Sequence, residues 1–439
     1  MRQNEINVIT LGCSKNLVDS QALIKKFASL GYRVRHDPDR VTGEIVVINT
    51  CGFIGDAQEE SINTILRFVR AKKEGRIRQL YVMGCLSQRF KDDLIREIPE
   101  VDAYYGKFDW NKIADQLGPS FEKVGASISP SVVVGEKHSH YAYIKISEGC
   151  DRTCSYCAIP LITGKHKSFP MERVLEQVQE KVAAGCSEFL LIAQDSTYYG
   201  IDLYGKQTLA DLMQMLAEVD GVKRLRLHYA YPTHFPVDIL PVMRKYPNIC
   251  PYIDIALQHS SDHMLQVMRR GITRKQTKQL IERIRKEVPG VVIRTTMMVG
   301  HPEETEADFR DLLNFVREMR FERLGAFAYS HEQDTFSYKH YQDNVPTEVK
   351  LQRLEQLMQL QEQIAQEISL SYVGKCVEVV VDRHEDEYVV GRTCYDSPEV
   401  DPEVLIPRSS LSKRLLRGHY YQVRIVGMEG YDLIAHIED

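Results

Sequence analysis

Short apolar runs rich in β-branched residues alternate with helical hydrophobic patterns at the start of this 439-residue chain. In residues 1–118 the runs are Ile6–Leu11, Ile45–Ile48 and Leu80–Met83, and a helical pattern follows each of them. Strands that alternate with helices pair in parallel, because each helix returns the chain to the same edge of the sheet. The pattern therefore predicts an α/β fold that begins with a doubly wound parallel-sheet domain.

A second series of strands and helices follows residues 119–140, where the periodicity is weak and we predict a linker. Residues 141–370 contain six strand candidates: Tyr143–Ile146, Glu188–Ile192, Arg224–Tyr229, Tyr252–Leu257, Val291–Met298 and Leu324–Tyr329. Six βα units favour a central, partial (β/α) barrel over the complete eightfold one. The long polar helical pattern Thr347–Leu370 leads out of this domain.

The last segment, residues 371–439, changes to the period of two that is typical of strands with one buried face. Its strand candidates are Val377–Val381, Tyr388–Arg392, Val404–Ile406, Tyr420–Val426 and Leu433–Ile437. Five short strands at this spacing predict a small antiparallel β-barrel that resembles the oligonucleotide-binding type.

Composition argues against an integral membrane protein. The chain is 43% hydrophobic and 27% charged, and its mean hydropathy is -0.31. No apolar run approaches the roughly 20 residues that span a bilayer, and the first residues lack the features of a signal peptide. We therefore expect a cytoplasmic protein without membrane association. In that compartment its ten cysteines are expected to bind metal, do chemistry or lie buried rather than form disulfides.

The strongest chemical signal is the segment Glu148–Cys157, which carries Cys150, Cys154 and Cys157 just after the first central strand. Thiolates are the ligands of iron–sulfur clusters. A 4Fe-4S cluster has four irons, so three cysteines leave one iron open for a cofactor or substrate. The alternative is a zinc site with His166 as the fourth ligand, but no second C-x2-C pair of the kind common in zinc sites lies nearby.

A second group of cysteines, Cys13, Cys51 and Cys85, stands directly after the three predicted strands of the first domain. The carboxyl ends of parallel strands meet at one edge of a sheet, where ligands bind. These cysteines are therefore candidates for a second cluster with an open iron, although any one of them alone would more often be a core residue. The remaining cysteines are interpreted as structural: Cys186, Cys250, Cys376 and Cys394.

At these residues the sequence resembles the methylthiotransferase family of radical S-adenosylmethionine enzymes. The resemblance covers nearly the whole chain, including a C-terminal TRAM-type barrel. Within the family, Leu11–Asn16, Asn49–Ile54 and Gly84–Arg89 are similar to the RimO branch, which adds a methylthio group to the β-carbon of an aspartate of small-subunit ribosomal protein S-twelve. The alternative is the tRNA-modifying branch, which acts on an adenosine beside the anticodon.

The resemblance implies two 4Fe-4S clusters, one on each cysteine triad, and two molecules of S-adenosylmethionine. The cluster of the central domain would bind the first molecule, which is cleaved by one electron to the radical that removes a substrate hydrogen. The cluster of the first domain would hold the sulfur, and the second molecule would supply the methyl group. An electron donor such as a flavodoxin or ferredoxin is also implied, and no side chain is required as a general base.

The same resemblance suggests residues around the cofactor. Tyr156 is similar to the aromatic residue that lies beside the adenine, with simple packing as the alternative. Three residues after the second central strand could reach the cofactor from the barrel rim: Gln194, Asp195 and Ser196. Further candidates are Gly300 and Glu304, in a segment that is similar to the family turn G-F-P-G-E-T, and Tyr329.

Some of these segments depart from the family pattern. His301 and Glu303 replace the phenylalanine and the second glycine of the turn, and glutamate disfavours a left-handed backbone. Two further segments match the family without a role that the sequence can assign: Gln258–Ser261 and Arg269–Gly271. Within the first of them, we expect His259 to be a hydrogen-bonded histidine at the end of a strand, with a role as a ligand as the alternative.

The charge of the last domain bears on the substrate. Residues 371–439 contain eight basic and thirteen acidic residues, a balance of -5, whereas an RNA-binding barrel should be basic. We therefore expect no strong nucleic-acid binding unless Lys413, Arg414 and Arg417 form a local patch. Acidic residues such as Glu385, Asp386 and Glu387 would instead dock a basic ribosomal protein, or form only a solvated face. A non-catalytic iron–sulfur or zinc RNA-binding protein is a remote alternative, because clusters with open irons suit catalysis.

Overall fold

The computed structural model describes residues 2–118 and 140–438. These residues form two compact units. The first unit contains residues 2–118 with Glu148–Arg152 and Cys157–Lys165, and the second contains residues 140–147, Thr153–Tyr156 and 166–438. The predicted linker, residues 119–140, lies outside the described residues except for His140.

The first unit is an α/β domain built on one five-stranded sheet. Its elements are β1 Arg2–Thr10, α1 Ser14–Ser29, β2 Arg33–His36, β3 Gly43–Thr50, α2 Gly55–Lys73, β4 Gln79–Gly84, α3 Cys85–Glu97, β5 Ala103–Tyr104, α4 Trp110–Leu117 and α5 Ile159–Thr163. All pairings are parallel, in the order β2-β1-β3-β4-β5. The strand order reverses between β1 and β3, and ligands of open α/β sheets bind at such a point.

Helices cover both faces of this sheet, as the doubly wound prediction requires. On one face Val8 and Val47 pack with Leu23 and Phe27 of α1. On the other face the neighbouring residues of the same strands, among them Ile48, pack with side chains of α2 and α3. Alternate residues of a strand point to opposite faces, and β3 is buried along its whole length, so the helices on both sides keep the sheet out of water.

The second unit begins with the central sheet and its helices. The elements are β6 Tyr141–Lys145, β7 Ser147–Glu148, β8 Lys167–Ser168, α6 Met171–Ala183, β9 Glu188–Ile192, α7 Ile201–Tyr204, α8 Leu209–Ala217, β10 Arg224–Ala230, α9 Ile239–Lys245, β11 Ile249–Gln258, α10 Asp262–Val267, α11 Arg274–Glu287, β12 Val292–Val299, α12 Glu306–Met319, β13 Arg323–Ala328, α13 Phe336–His340 and α14 Thr347–Leu370. Six parallel strands in the order β13-β12-β11-β10-β9-β6 form an open sheet. The predicted partial barrel is therefore confirmed.

The C-terminal part is a closed five-stranded barrel, as predicted. Its strands are β14 Cys376–His384, β15 Tyr388–Arg392, β16 Val404–Pro407, β17 Tyr420–Glu429 and β18 Asp432–Ile437, in the order β14-β15-β16-β18-β17. Four pairings are antiparallel, but β16 and β18 run parallel, which the sequence did not indicate. Valine and isoleucine side chains, including Val381 and Ile425, fill the interior.

Polar contacts join this barrel to the central sheet within the second unit. The segment that follows β15 lies against the sheet face that the helices leave uncovered. Tyr252 Oη donates to Asp401 Oδ2 at 2.7 Å, and His228 Nε2 lies 3.0 Å from Ser397 Oγ. Arg323 Nη2 lies 2.5 Å from Asp396 Oδ1. The central sheet is thus buried on one face by apolar helices and on the other, in part, by polar side chains of the C-terminal segment. No helix among the described residues has the length and apolar character needed to cross a bilayer.

Candidate active site

The loops that carry Cys13, Cys51 and Cys85 come together in the first unit. The three cysteines follow β1, β3 and β4 at the carboxyl edge of the sheet. Gly12 has a φ of +90°, and a Cβ atom there would lie 2.7 Å from the Cβ of Cys51. A Cβ on Gly52 would likewise lie 2.6 Å from the backbone of Leu86, the residue after Cys85. Only glycine allows these close approaches, which place the three loops side by side.

Asn16, in the first turn of α1, links these loops by hydrogen bonds. Its Nδ2 donates to the carbonyl oxygens of Leu11 at 2.9 Å and Thr50 at 3.1 Å. Its Oδ1 accepts from the Cys85 thiol at 3.6 Å. Asn16 is 1% exposed, so these contacts are shielded from water. Sequence analysis included Asn16 only as the last residue of the segment Leu11–Asn16 and gave it no role, although its position three residues after Cys13 is a usable signal.

The three thiols differ in how readily they ionise. Burial raises the pKa of Cys85 to about 12 and also raises the pKa of Cys51. At Cys13, which is solvent-exposed, partial desolvation opposes ionisation, but the charge of Lys15 and nearby backbone N–H groups outweigh it and lower the pKa. A thiol that must become a ligand thiolate benefits from such positive charge.

A buried lysine adds positive charge to the same edge of the sheet. Lys107 is 2% exposed, and its Nζ lies 2.7 Å from Asp19 Oδ2 on α1. Burial opposes its charge, but Asp19 and the thiol of Cys85 hold its pKa above the usual value. This edge of the sheet therefore combines three thiols with a buried cation, an arrangement that suits an anionic metal cluster.

The segment with the second cysteine triad is divided between the two units. Cys150, Cys154 and Cys157 are all partly exposed, and Cys150 N donates to the carbonyl oxygen of Gly164 at 3.1 Å. In the first unit, Ala158 and Ile162, which follow Cys157, pack against Cys85.

Cys154 has two polar neighbours in the second unit. Its Sγ lies 3.2 Å from Arg270 Nη1 and 3.3 Å from Tyr231 Oη. A backbone hydrogen bond holds the adjacent residue: Ser155 N donates to the carbonyl oxygen of Met268 at 3.1 Å. The segment Arg269–Gly271, to which the sequence assigned no role, therefore lies directly beside a predicted cluster ligand.

Tyr156 and His301 make further contacts with the cysteine loop and its neighbours. The Tyr156 hydroxyl accepts from Arg270 Nη1 at 3.1 Å, and its ring contacts His301 edge to face with centroids 6.3 Å apart. His301 Nε2 lies 3.2 Å from Ser155 Oγ and 2.9 Å from Ser337 Oγ. Burial lowers the pKa of His301 to about 4, so the imidazole is neutral at pH 7 and supports the loop through hydrogen bonds.

The candidates after β9 are held by internal hydrogen bonds. Asp195 caps the turn Ser196–Tyr198 by accepting from the N–H of Thr197 at 2.9 Å. Ser196 Oγ donates to the carbonyl oxygen of His228 at 2.5 Å. Gln194 is partly exposed. Asp195 and Ser196 thus order the strand end, and of the three Gln194 has the most accessible side chain.

The turn after β12 is organised around Glu304. One carboxylate oxygen lies 3.1 Å from His259 Nε2, and the other lies 2.6 Å from Arg353 Nη1 and accepts from Gly300 N at 2.6 Å. With both oxygens engaged by the protein, Glu304 orients the turn rather than offering a free carboxylate. His259 is hydrogen-bonded, as the sequence suggested, and Glu303 adopts a φ of +71° despite the cost for a residue with a Cβ.

The last cofactor candidate, Tyr329, is buried, and its hydroxyl lies 2.9 Å from His331 Nδ1. For the zinc alternative, His166 Nε2 lies 3.0 Å from Ser168 Oγ. Among residues 2–118 and 140–438, no three His, Cys, Asp or Glu side chains are arranged to hold a single metal ion. Of the cysteines interpreted as structural, Cys250 is buried but Cys376 is exposed, so burial in a core does not explain the latter.

The C-terminal barrel carries an acidic hairpin tip and a groove that contains basic side chains. Glu385, Asp386 and Glu387 form the exposed tip of the β14–β15 hairpin, where Arg383 Nε lies 2.7 Å from Glu385. A surface groove of about 510 Å³ is lined by His384, Val389, Arg408, Leu411, Ser412, Lys413, Arg414 and Leu415. Of the three residues of the predicted basic patch, Lys413 and Arg414 line this groove, whereas Arg417 is not among its lining residues.

Three protein families match successive segments of the chain. Residues 5–106 match a family described as uncharacterized protein family UPF0004, residues 144–316 match the radical SAM superfamily, and residues 373–437 match the TRAM domain. Among solved structures, the chain is similar to the radical S-adenosylmethionine methyltransferase TsrM from Kitasatospora setae, with a TM-score of 0.55 and 12% identity over 74% of this chain and 72% of that one. At this identity the likeness concerns the fold alone.

Full-length relatives are much more similar in sequence. The ribosomal protein uS12 methylthiotransferase RimO of Porphyromonas gingivalis is 59% identical over 439 residues, 100% of both chains. The protein of the same name from Parabacteroides distasonis is 53% identical over 100% of both chains, and that from Cytophaga hutchinsonii is 48% identical over 99% of this chain and 98% of the other. The chain therefore belongs to the RimO family of ribosomal protein uS12 methylthiotransferases, within the radical SAM superfamily.

Proposed function

We propose that this chain is a radical S-adenosylmethionine enzyme that adds a methylthio group to the β-carbon of an aspartate of ribosomal protein uS12. Identity of 59% along the full length of a relative with that name carries the proposal. The three cysteine loops that meet at the carboxyl edge of the N-terminal sheet support it. Cysteines that are far apart in sequence would not stand on adjacent loops by chance.

The residues present at the first site fit a 4Fe-4S cluster. Three thiols provide the donor set that such clusters use and leave one iron open. The cations Lys15 and Lys107 favour thiolate at Cys13, although burial opposes it. Burial raises the pKa of the thiols of Cys51 and Cys85, so metal binding has to displace their protons. In the proposed enzyme, residues 1–118 hold this cluster and the sulfur to be inserted.

The second cluster is assigned to Cys150, Cys154 and Cys157 in the central domain, residues 141–370. When bound, this cluster and S-adenosylmethionine supply the radical that removes the substrate hydrogen, and a second S-adenosylmethionine supplies the methyl group. Tyr156 would contact the adenine, held in place by Arg270. The remaining proposed contacts come from the strand ends: Gln194, Asp195, Ser196, Gly300 and Tyr329, with Glu304 orienting the backbone of Gly300.

Residues 371–439 are proposed to dock the substrate. Ribosomal proteins are typically strongly basic, and Glu385, Asp386 and Glu387 are exposed at one hairpin tip, which gives electrostatic complementarity. The proposed substrate also places the reaction in the cytoplasm, where ribosomes form, and the radical step needs a one-electron donor of the flavodoxin or ferredoxin class.

The test is an anaerobic assay of the reconstituted full-length protein with S-adenosylmethionine, a reductant and uS12. We expect two 4Fe-4S clusters per chain and a mass increase of one methylthio group on the substrate. Alanine at Cys150, Cys154 and Cys157 should remove half of the iron and abolish cofactor cleavage. Alanine at Cys13, Cys51 and Cys85 should remove the other half but leave 5′-deoxyadenosine production.

The matched control is Cys250→Ala, which removes a buried thiol outside both triads and should keep the full iron content. Stoichiometric zinc with negligible iron would refute the cluster assignment. Methylthiolation of tRNA with none of uS12 would instead replace the proposed substrate with the tRNA alternative.

A further inference from the structure

Arg270 is a buried arginine beside the segment that carries Cys154. Its side chain is 3% exposed. Other buried arginines of the second unit pair with acids, such as Arg392 with Glu188 and Arg353 with Glu304. Among the residues that the structure describes, no carboxylate forms an ion pair with Arg270. A buried charge is costly without a counter-charge. The Tyr231 ring, with its centroid 4.1 Å from Arg270 Cζ, offsets part of this cost, and a bound anion would stabilise the guanidinium further.

The guanidinium of Arg270 is directed at the sulfur of Cys154. Nη1 donates to Cys154 Sγ at 3.2 Å and to Tyr156 Oη at 3.1 Å, and Nη2 donates to the carbonyl oxygen of Ala256. The anchor at the end of β11 and the phenol of Tyr156 fix the plane of the group. A thiolate at Cys154, and above all an anionic cluster bound to it, would supply the missing negative charge.

A second donor reaches the same sulfur. Tyr231 Oη lies 3.3 Å from Cys154 Sγ and also 3.3 Å from the carbonyl oxygen of Arg270. That carbonyl already accepts a shorter bond, 2.6 Å, from Thr233 Oγ1. The Tyr231 hydroxyl can therefore turn its proton to the sulfur once Cys154 is a thiolate, without leaving a carbonyl unsatisfied.

The local backbone explains why these groups stay in place. Arg269 has a φ of +56° and Gly271 a φ of +65°, so the chain turns sharply after α10 and holds Arg270 between them. Arg270 N donates to the carbonyl oxygen of Leu265 at 2.9 Å, and the carbonyl of Met268 accepts from Ser155 N at 3.1 Å. The turn is thus bonded to the cysteine loop through its backbone as well as through the side chain of Arg270.

We propose that Arg270 and Tyr231 are positioning residues that donate to the Cys154 sulfur and raise the reduction potential of the cluster on the central triad. The inference rests on the proposed function, since it requires a cluster at Cys154. Hydrogen bonds to the sulfurs and net charge are main determinants of cluster potential. The reduced cluster carries one more negative charge than the oxidised cluster. The hydrogen bonds from Arg270 and Tyr231 and the positive charge of Arg270 therefore stabilise the reduced form, which makes the cluster easier to reduce.

The test measures the midpoint potential of this cluster by redox titration with electron paramagnetic resonance. The parent is the full-length chain with Cys13, Cys51 and Cys85 replaced by alanine, so that one cluster gives the signal. We expect Tyr231→Phe, which keeps the ring and loses only the hydroxyl, to shift the potential to a more negative value. Arg270→Met should shift the potential further in the same direction, because it removes both the charge and the hydrogen bonds. Arg270→Lys keeps the charge, so its shift should be smaller than that of Arg270→Met and similar to that of Tyr231→Phe.

Tyr199→Phe is the matched control. It removes a buried hydroxyl that donates to the carbonyl oxygen of Phe169 at 2.7 Å, away from the cluster loop, and should leave the potential unchanged. Cluster-bearing Tyr231→Phe and Arg270→Lys proteins with the parent's potential would overturn this inference alone. A parent that assembles no cluster would overturn the proposed function and this inference with it. If Arg270→Met loses its iron, Tyr231→Phe still decides the outcome.

Discussion

Arg392, the last residue of β15, forms a buried ion pair with Glu188, the first residue of β9, with Nη2 and Oε2 2.9 Å apart. The side chains are 1% and 0% exposed. Arg226 Nη2 lies 3.3 Å from Glu188, and Asp382 lies 2.6 Å from Arg392 Nε, so two cations face two anions. The C-terminal barrel thereby adds one cation and one anion to the buried pair of Glu188 and Arg226 in the central sheet. A chain that ends before residue 371 would keep the contact between Glu188 and Arg226 but would remove Arg392 from Glu188.

The first prediction concerns this pair. Arg392→Met should lower the free energy of unfolding by about 3–5 kcal/mol, because Glu188 would remain buried with one cation fewer. The pair is tightly held, since Arg392 and Arg226 lower the pKa of Glu188 to about 2 although burial opposes this. Urea denaturation followed by circular dichroism measures the loss. Arg383→Met, at an exposed pair of the same barrel, is the control and should cost about 0–1 kcal/mol. Equal losses in the two variants would contradict the prediction.

The second prediction concerns acid sensitivity at His301. Its pKa is lowered from 6.5 to about 4, with burial as the main cause. Between these values the unfolded chain binds a proton that the folded chain does not, so stability falls as the pH falls. His301→Phe removes this contribution. The stability of the wild type relative to the variant should therefore drop by about 2 kcal/mol between pH 7 and pH 5.

Urea denaturation at the two pH values checks this expectation. Ser337→Ala is the control, because it removes a hydrogen-bond partner of His301 at 2.9 Å but keeps the imidazole, and should keep the wild-type dependence on pH. A constant difference between wild type and His301→Phe would show that His301 does not contribute to acid sensitivity.

The third prediction concerns Asn16. Asn16→Ala removes the two bonds from Nδ2 that join the loops before Cys13 and Cys51, so the cluster of the first triad should be lost to a chelator faster. The measurement is iron release from chains in which the central triad is alanine. Asn248→Ala removes two equivalent bonds to carbonyl oxygens, those of Ala217 and Val222, in the other unit. The prediction fails if both variants release iron at the same rate.

The fourth prediction concerns docking of the substrate. Replacement of Glu385, Asp386 and Glu387 by lysine should reduce the rate of uS12 modification, most strongly at low salt, because screening weakens the attraction between exposed charges. Cofactor cleavage without substrate should not change. Lys413→Glu with Arg414→Glu reverses charge in the basic groove and serves as the comparison. A larger loss of rate in the groove variant would assign docking to the groove instead of the acidic tip.

Both cysteine triads could be proposed from the sequence because each cysteine has a signal in its immediate neighbourhood. Cys150, Cys154 and Cys157 lie on one short segment, and Cys13 and Cys51 each follow a strand whose periodicity is strong. β2 and β5 were missed, since runs of 4 and 2 residues are too short for a period to be counted. The turn at Glu303 was not predicted, because glutamate disfavours its left-handed backbone. There Glu303 N donates to Asn344 Oδ1, and Asn344 Nδ2 donates to the Glu303 carboxylate.

The amino-acid sequence by itself determined the class of each domain, because the alternation of apolar and polar residues decides which elements form and which faces they bury. Tertiary structure alone decided which polar side chains meet. Arg270 reaches Cys154 across 116 residues, and Arg392 reaches Glu188 across 204. A hydrophobic pattern specifies a buried face but not a partner for a buried charge. That partner depends on the order of strands in the sheet and on the turns that connect them, which only the packed chain defines.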